Sequence, residues 1–289
     1  MEIAIISGKG GTGKSSISAG FATLSGKVVL ADCDVDAANL YLIFNPEHDY
    51  EEAFVGGQYA LIDYDTCTNC GICLNYCRFE AISEINGRVV ISETSCDGCR
   101  LCSRICPVKA ITMIDNDKSR MYSGRFRNGE MVYGRLAPGE ENSGKLVNMV
   151  RQKAKELSKT NNISTIIIDG PPGIGCPVIS SITGVDHVVI VTEPTISGLN
   201  DLKRTLEVSL KFNLKSWVII NKYDLNAKMA EQIELYCNGL GIEVIGKLPF
   251  YPKVVEAMVH CKSIVEFDPG SDFSNKIHSA YQCILNGNR

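Results

Sequence analysis

Several things are scarce or missing in this chain of 289 residues. No run approaches 18 consecutive apolar residues, which excludes a membrane-spanning helix. An excess of one charge is missing too: 29 Lys and Arg face 33 Asp and Glu, for a formal net charge of −4. A protein that grips nucleic acid through its phosphates carries a basic surplus, so no nucleic-acid partner is expected. Only four histidines occur (His48, His187, His260 and His278), and they form no metal-spaced set. Met1-Glu2-Ile3-Ala4-Ile5-Ile6 has no basic leader and no cleavage site but reads directly as a strand, so a cytoplasmic location is expected. What remains is 45% hydrophobic and 21% charged, a globular composition with length enough for a sizeable core. Cysteine is abundant, with 13 in all, eight of them between Cys67 and Cys106. A secreted disulfide scaffold would be short and loop-rich, which this chain is not, so clustered thiols point to metal.

Along the chain, the strand Glu2–Ser7 runs into a glycine-rich turn, and the helix Lys14–Leu24 stops at Gly26. The strand Val28–Asp32 follows, then a short helix near 37–43, with Asp36 as its expected N-cap. Residues 117–142 read as a hairpin turning at Arg127-Asn128-Gly129-Glu130. Helices are expected over 145–159, 199–210 and 228–240, and strands over 165–169, 187–191, 216–221 and 243–246. Alternating strands and helices, with all-apolar strands such as Thr165-Ile166-Ile167-Ile168, predict an α/β fold with a doubly wound, mainly parallel sheet. Residues 61–116 break that rhythm. They are expected to form a small α+β module inserted between the second and third strands of a discontinuous domain, 1–60 and 117–289.

Gly8-Lys9-Gly10-Gly11-Thr12-Gly13-Lys14-Ser15 fits the G-x-x-x-x-G-K-S phosphate loop, placed after a strand and opening a helix. Its backbone N–H groups and the helix N-terminus suit phosphate oxygens, with Lys14 reaching the β- and γ-phosphates and Ser15 ligating Mg²⁺. Ser16 continues the same turn. The buried strand ending at Asp169 matches a carboxylate that holds Mg²⁺ through water, and Asp32-Cys33-Asp34-Val35-Asp36 ends another strand where α/β sheets present ligand-binding residues.

The cysteines fall into two copies of C-x2-C-x2-C-x3-C. Cys67, Cys70, Cys73 and Cys77 recur 29 residues later as Cys96, Cys99, Cys102 and Cys106, and Ala81-Ile82 as Ala110-Ile111. Three thiolates at this spacing wrap one 4Fe–4S cubane, while the fourth reaches the neighbouring cluster. One cluster is therefore assigned to Cys67, Cys70, Cys73 and Cys106, and the other to Cys77, Cys96, Cys99 and Cys102. Pro107 follows the second run, whereas Arg78 stands at that place in the first. Zinc, the alternative for paired C-x2-C motifs, fits two tandem four-cysteine runs poorly.

Taken together, these motifs resemble the MinD/Mrp superfamily of P-loop ATPases, in particular members with an inserted two-cluster ferredoxin domain. Lys9 resembles the signature lysine of the deviant Walker A motif, which implies that it reaches the partner's phosphates in a nucleotide-dependent homodimer, or a heterodimer with a paralogue. The resemblance further implies that Asp34 positions the attacking water, that Asp32 lies beside the Mg²⁺ shell, and that Gly170-Pro171-Pro172-Gly173 forms a second switch. It implies an adenine-reading role for Asn221, with Pro249 in a second base-contacting loop. Cys176 matches a switch cysteine that holds an interface cluster in the nitrogenase iron protein, or is simply a small residue packed at a helix start. Cys33, Cys237, Cys261 and Cys283 read as buried thiols, and the tail 273–285 lacks the basic face of a membrane-docking helix. Three functions follow: ATP-gated low-potential electron transfer to a redox partner, an Mrp-like iron–sulfur carrier, or a MinD-like positioning ATPase with redox-sensing clusters. Two complete cysteine sets favour the first, because a carrier needs an under-coordinated site.

Overall fold

The computed structural model describes residues 1–140 and 143–287. Glu141 and Asn142, which end the expected hairpin segment, and the last two residues of the expected large domain lie outside the described residues. The chain opens with β1 (Glu2–Ser7), α1 (Lys14–Leu24), β2 (Val28–Asp32), α2 (Leu40–Phe44) and β3 (Glu47–Phe54). A small unit follows, made of β4 (Gly57–Ile62), α3 (Ile72–Tyr76), β5 (Ile82–Ile85), β6 (Arg88–Ile91), α4 (Leu101–Ile105) and β7 (Ile111–Asn116). The chain then returns through β8 (Ser119–Phe126), β9 (Gly129–Arg135), α5 (Ser143–Thr160), β10 (Ile166–Pro172), α6 (Cys176–Ile182) and β11 (His187–Thr192). It closes with α7 (Ile196–Lys211), β12 (Lys215–Asn221), α8 (Ala227–Gly239), β13 (Glu243–Leu248), α9 (Lys253–Val259), α10 (Ile264–Phe267) and α11 (Asp272–Asn286).

Nine strands form one sheet in the order β13-β12-β11-β1-β10-β2-β9-β8-β3. The pairs from β13 to β9 are parallel, and only β9–β8 and β8–β3 are antiparallel. Strand alternation splits each apolar run between two cores. Ile3 and Ile5 join Val28 and Leu30 on one face, while Ala4 and Ile6 join Val29 and Ala31 on the other. Each fully buried Ile contributes about 1.5–3 kcal/mol. Because β1 lies between β10 and β11, the loop leaving its C-terminal end opens at a topological switch point, where α/β sheets bind ligands.

Three expectations need correction. The second helix begins at Leu40, not near residue 37, and Asp36 does not cap it: the amides of Asn39 and Leu40 donate instead to Asp32 Oδ2, each at 3.1 Å. The acidic segment EHDYEEAF, unassigned by pattern because only Phe54 is buried, becomes the edge strand β3. The small unit therefore leaves the sheet after its third strand, β3, and re-enters at β8, at the far edge, and is not inserted between the second and third strands. The C-terminal helix α11 turns Phe273, Ile277, Ala280, Tyr281 and Ile284 into the core, with the Tyr281 ring 5.2 Å from Phe21. Its apolar stripe is spent on packing. No helix among the described residues is long and apolar enough to cross a membrane.

The small unit has its own core of Ala60, Ile62, Ile82, Val89 and Ile111, between the hairpin-like pairs β4–β7 and β5–β6. The sequence repeat is also a backbone repeat. Left-handed residues recur 29 positions apart as Asn69 and Gly98, Gly71 and Arg100, Glu80 and Lys109. Asp63 N donates to Ala110 O, and Ser92 N to Ala81 O, both at 2.7 Å, the same bond repeated with the roles of the two copies exchanged.

Candidate functional site

The glycine loop wraps a cleft of about 490 Å³ lined by residues 10–16, Asp34, Asn39, Pro171, Pro172 and Met258. Gly13 sits at φ +88°, and a Cβ there would lie 2.3 Å from Asn221 Nδ2, so both conformation and space demand glycine. Lys14, 6% exposed, aims its ammonium between Asp169 Oδ1 at 3.1 Å and Asp34 Oδ2 at 3.5 Å. Burial lowers the Lys14 pKa, yet the charges of Asp169, Asp34 and Asp32 outweigh it and hold the group above its usual value. Ser15 Oγ donates to Asp169 Oδ2 at 2.6 Å, and Ser18 Oγ to Oδ1 at 2.7 Å. Burial raises the Asp34 pKa against the pull of Lys14. Thr12 Oγ1 and Asn39 Oδ1 are buried without a partner. A cradle with a buried ammonium, a helix N-terminus and unmet polar atoms suits a phosphate chain, and the Ser15–Asp169 pair suits a hard cation.

Asp32, expected beside a Mg²⁺ shell, is engaged with backbone amides. It is fully buried, one oxygen accepting from Asp34 N and the other from Asn39 N and Leu40 N. Both oxygens are used in bracing the loop that carries Asp34. Burial, then the neighbouring charge of Asp169 in register on β10, push its pKa up to about 7 despite Lys14 and the two amides.

A second recess of about 160 Å³ adjoins the first, between Gly13, Ser16, Asn221, Pro249, Phe250 and Val254. Asn221 Nδ2 donates to Thr12 O at 2.8 Å, tying the end of β12 to the glycine loop. Asp224 Oδ1 accepts from Phe250 N at 2.7 Å and so shapes the recess wall. Lys9 does not line either space; its ammonium pairs with Glu193 Oε2 at 3.0 Å. Asp224 carries no sequence signal of its own, since it works through Phe250, 26 residues along the chain.

The eight clustered cysteines surround two apolar cavities. One is lined by Cys67, Cys70, Cys73 and Cys106, the other by Cys77, Cys96, Cys99 and Cys102, with Cys73 between them. Each cavity thus takes its fourth cysteine from the other run. Among the described residues, no three His, Cys, Asp or Glu side chains converge on a single point as they would around one ion. Burial raises the Cys73 and Cys102 thiols, and Ala110 N–H points at Cys106 Sγ at 3.3 Å. Elsewhere, Cys33 and Cys237 are buried as expected, but Cys261 is exposed in the turn after α9 and Cys283, on α11, is half-buried. Cys176 is exposed at the start of α6, so it is not packed away.

The family model described as the CobQ/CobB/MinD/ParA nucleotide binding domain matches residues 3–264. An uncharacterized protein of Methanocaldococcus jannaschii is 41% identical over 229 residues, spanning 78% of this chain and 79% of that protein. An uncharacterized ATP-binding protein of the same organism is 25% identical over 289 residues, spanning 96% and 84%. Among solved structures, the septum site-determining protein MinD complexed with Mg-ADP from Pyrococcus horikoshii OT3 aligns with TM-score 0.61 at 18% identity, covering 98% of this chain and 95% of that one. The MinC:MinD cell division protein complex of Aquifex aeolicus aligns with TM-score 0.57 at 20% identity, covering 99% and 96%. These structural likenesses establish the fold.

Proposed function

We propose, because this chain belongs to the CobQ/CobB/MinD/ParA family of nucleotide-binding domains, that it binds and hydrolyses ATP with Mg²⁺, and that the nucleotide state of a dimer governs electron transfer through two 4Fe–4S clusters. One observation carries the reading: a phosphate loop armed with Lys14, Ser15, Asp34 and Asp169 shares a chain with two cavities, one lined by four cysteines and the other by five, Cys73 being common to both. Entering phosphates would take Lys14 from its carboxylates, leaving Asp34 free to orient water at the γ-phosphate. Ser15 and Asp169 would hold Mg²⁺, which supplies charge neutralisation on the phosphates. Asn221 and Pro249 border the recess available to the base. Lys9, by its resemblance to the signature lysine, would act on the partner protomer's phosphates.

In the small unit, Cys67, Cys70, Cys73 and Cys106 would hold one cluster, and Cys77, Cys96, Cys99 and Cys102 the other. Bound there, such clusters pass single electrons at low potential. The donor set fits: each cavity is apolar, is lined by at least four thiols, and spreads them around a volume instead of a point. Ala110 N–H is already aimed at a sulfur, a contact that stabilises a thiolate.

The test is potentiometric EPR of the anaerobically purified protein, with and without a non-hydrolysable ATP analogue. Two signals and a midpoint shift of about 59 mV, a tenfold change in relative affinity for a one-electron couple, are expected. Cys77→Ser should damage the cluster of Cys96, Cys99 and Cys102 and spare the other. Loss of the opposite cluster refutes the cross-assignment. Identical midpoints and identical electron-transfer rates with and without nucleotide would replace this reading with a carrier or positioning ATPase.

A further inference from the structure

Lys9 is held in place by a purpose-built acceptor. Its ammonium lies 3.0 Å from Glu193 Oε2, while Glu193 Oε1 accepts from Lys222 Nζ at 2.6 Å. Lys222 Nζ also donates to Gly11 O at 3.3 Å, so the carboxylate is anchored to the glycine loop through a second lysine. The backbone around Glu193 is fixed. Thr195 N donates to Glu193 O at 2.8 Å, and Gly198 of α7 approaches so closely that a Cβ there would lie 2.3 Å from that oxygen. Lys222, in turn, stands at φ +54° immediately after the buried Asn221. The acceptor is thus rigid, and Lys9, 34% exposed against 14% for Glu193, is the arm able to leave. Burial works to raise the Glu193 pKa, but the hydrogen bonds from Lys222 and Lys9 outweigh it and keep the group an anion.

We infer that Glu193 is a positioning residue that parks Lys9 on its own protomer, so that an ATP-loaded dimer forms only as Lys9 is released. This rests on the reading that Lys9 acts across a nucleotide-dependent dimer. A lysine paired with Glu193 is unavailable to a partner's phosphates. Lys222 makes the device reversible, since Glu193 keeps one cation when Lys9 departs and no unpaired half-buried carboxylate is left. A partly exposed ion pair of this kind biases its lysine by up to about fivefold. Apparent affinity falls by the fraction competent, and a two-fold dimer needs both lysines, so parking weakens dimerisation by up to about 25-fold.

The experiment combines sedimentation of the full chain, with a non-hydrolysable ATP analogue, and pulse labelling of lysines by an amine-reactive ester read by mass spectrometry. Glu193→Gln should tighten the dimer by about two- to 25-fold and speed Lys9 labelling in the nucleotide-free chain by up to about fivefold. Adding Lys9→Ala to Glu193→Gln should return dimerisation to the level of Lys9→Ala alone. A Lys9-dependent dimer that Glu193→Gln leaves unchanged or weakens overturns the parking and spares the functional reading. A wild-type dimer indifferent to Lys9→Ala overturns the functional reading first, and parking with it. The unsubstituted protein supplies a check that needs no variant: at low salt Lys9 should label more slowly than the exposed Lys228, and high salt should narrow the gap. Equal rates at low salt overturn the inference.

Discussion

Replacing Gly13 by alanine tests how the glycine loop is built into the rest of the molecule. The residue stands at φ +88° and ψ 14°, where an L side chain costs about 1–2 kcal/mol. The new Cβ would lie 2.3 Å from Asn221 Nδ2 and drive that amide off Thr12 O, to which it donates at 2.8 Å. Asn221 is 7% exposed, so water cannot fully repair the loss, and the unmet carbonyl and amide cost about 1–3 kcal/mol more. The expected total is about 2–5 kcal/mol, read from urea unfolding of the nucleotide-free chain at unchanged m-value. Asn221→Ala removes the obstacle, so the double variant should be less damaged than the sum of the singles by about 1–2 kcal/mol. Gly10→Ala is the control: a Cβ there meets nothing within 4 Å and φ is not positive, so stability should change by less than about 0.5 kcal/mol. A Gly13→Ala cost below about 0.5 kcal/mol, or strict additivity with Asn221→Ala, refutes the coupling of loop and β12.

Two further outcomes are expected. Asp34→Asn should lower steady-state ATP turnover by about a hundredfold or more while changing nucleotide affinity less than tenfold, because the carboxylate faces the cleft and its partner Lys14 keeps Asp169; unaltered turnover removes Asp34 from the chemistry. Asp32 should make the nucleotide-free chain less stable as pH rises. Its folded pKa of about 7 exceeds the ordinary carboxylate value of 3.8, so the native state binds the proton more tightly, and this contribution is fully present below about pH 4 and lost by about pH 7. Urea unfolding of wild type and Asp32→Asn across that window should diverge progressively, and parallel curves would exclude the titration.

How much of this was legible in the sequence depended on distance along the chain. The phosphate loop declares itself because its glycines answer local demands, left-handed backbone at Gly11 and Gly13 followed directly by a helix. The cysteine runs do the same: the 29-residue repeat of spacing is also a repeat of backbone conformation at Asn69 and Gly98, and at Gly71 and Arg100. The hairpin at Arg127-Asn128 and the buried strands follow from turn chemistry and apolar runs, both of which are local. Strand β3 escaped because an exposed edge imposes no apolar period on its residues, and only pairing with β8 makes it a strand. Asp32 and Asp34 look equivalent as text, two carboxylates with one residue between them. Register with Asp169 buries the first among amides and leaves the second on the cleft. Lys9 meets Glu193, and Gly13 meets Asn221, across some 200 residues of chain, contacts that exist only because parallel strands end together at one edge of the sheet. Residue type and spacing therefore announced which chemistry the chain carries, while the sheet decided which carboxylate faces the cleft and where Lys9 rests.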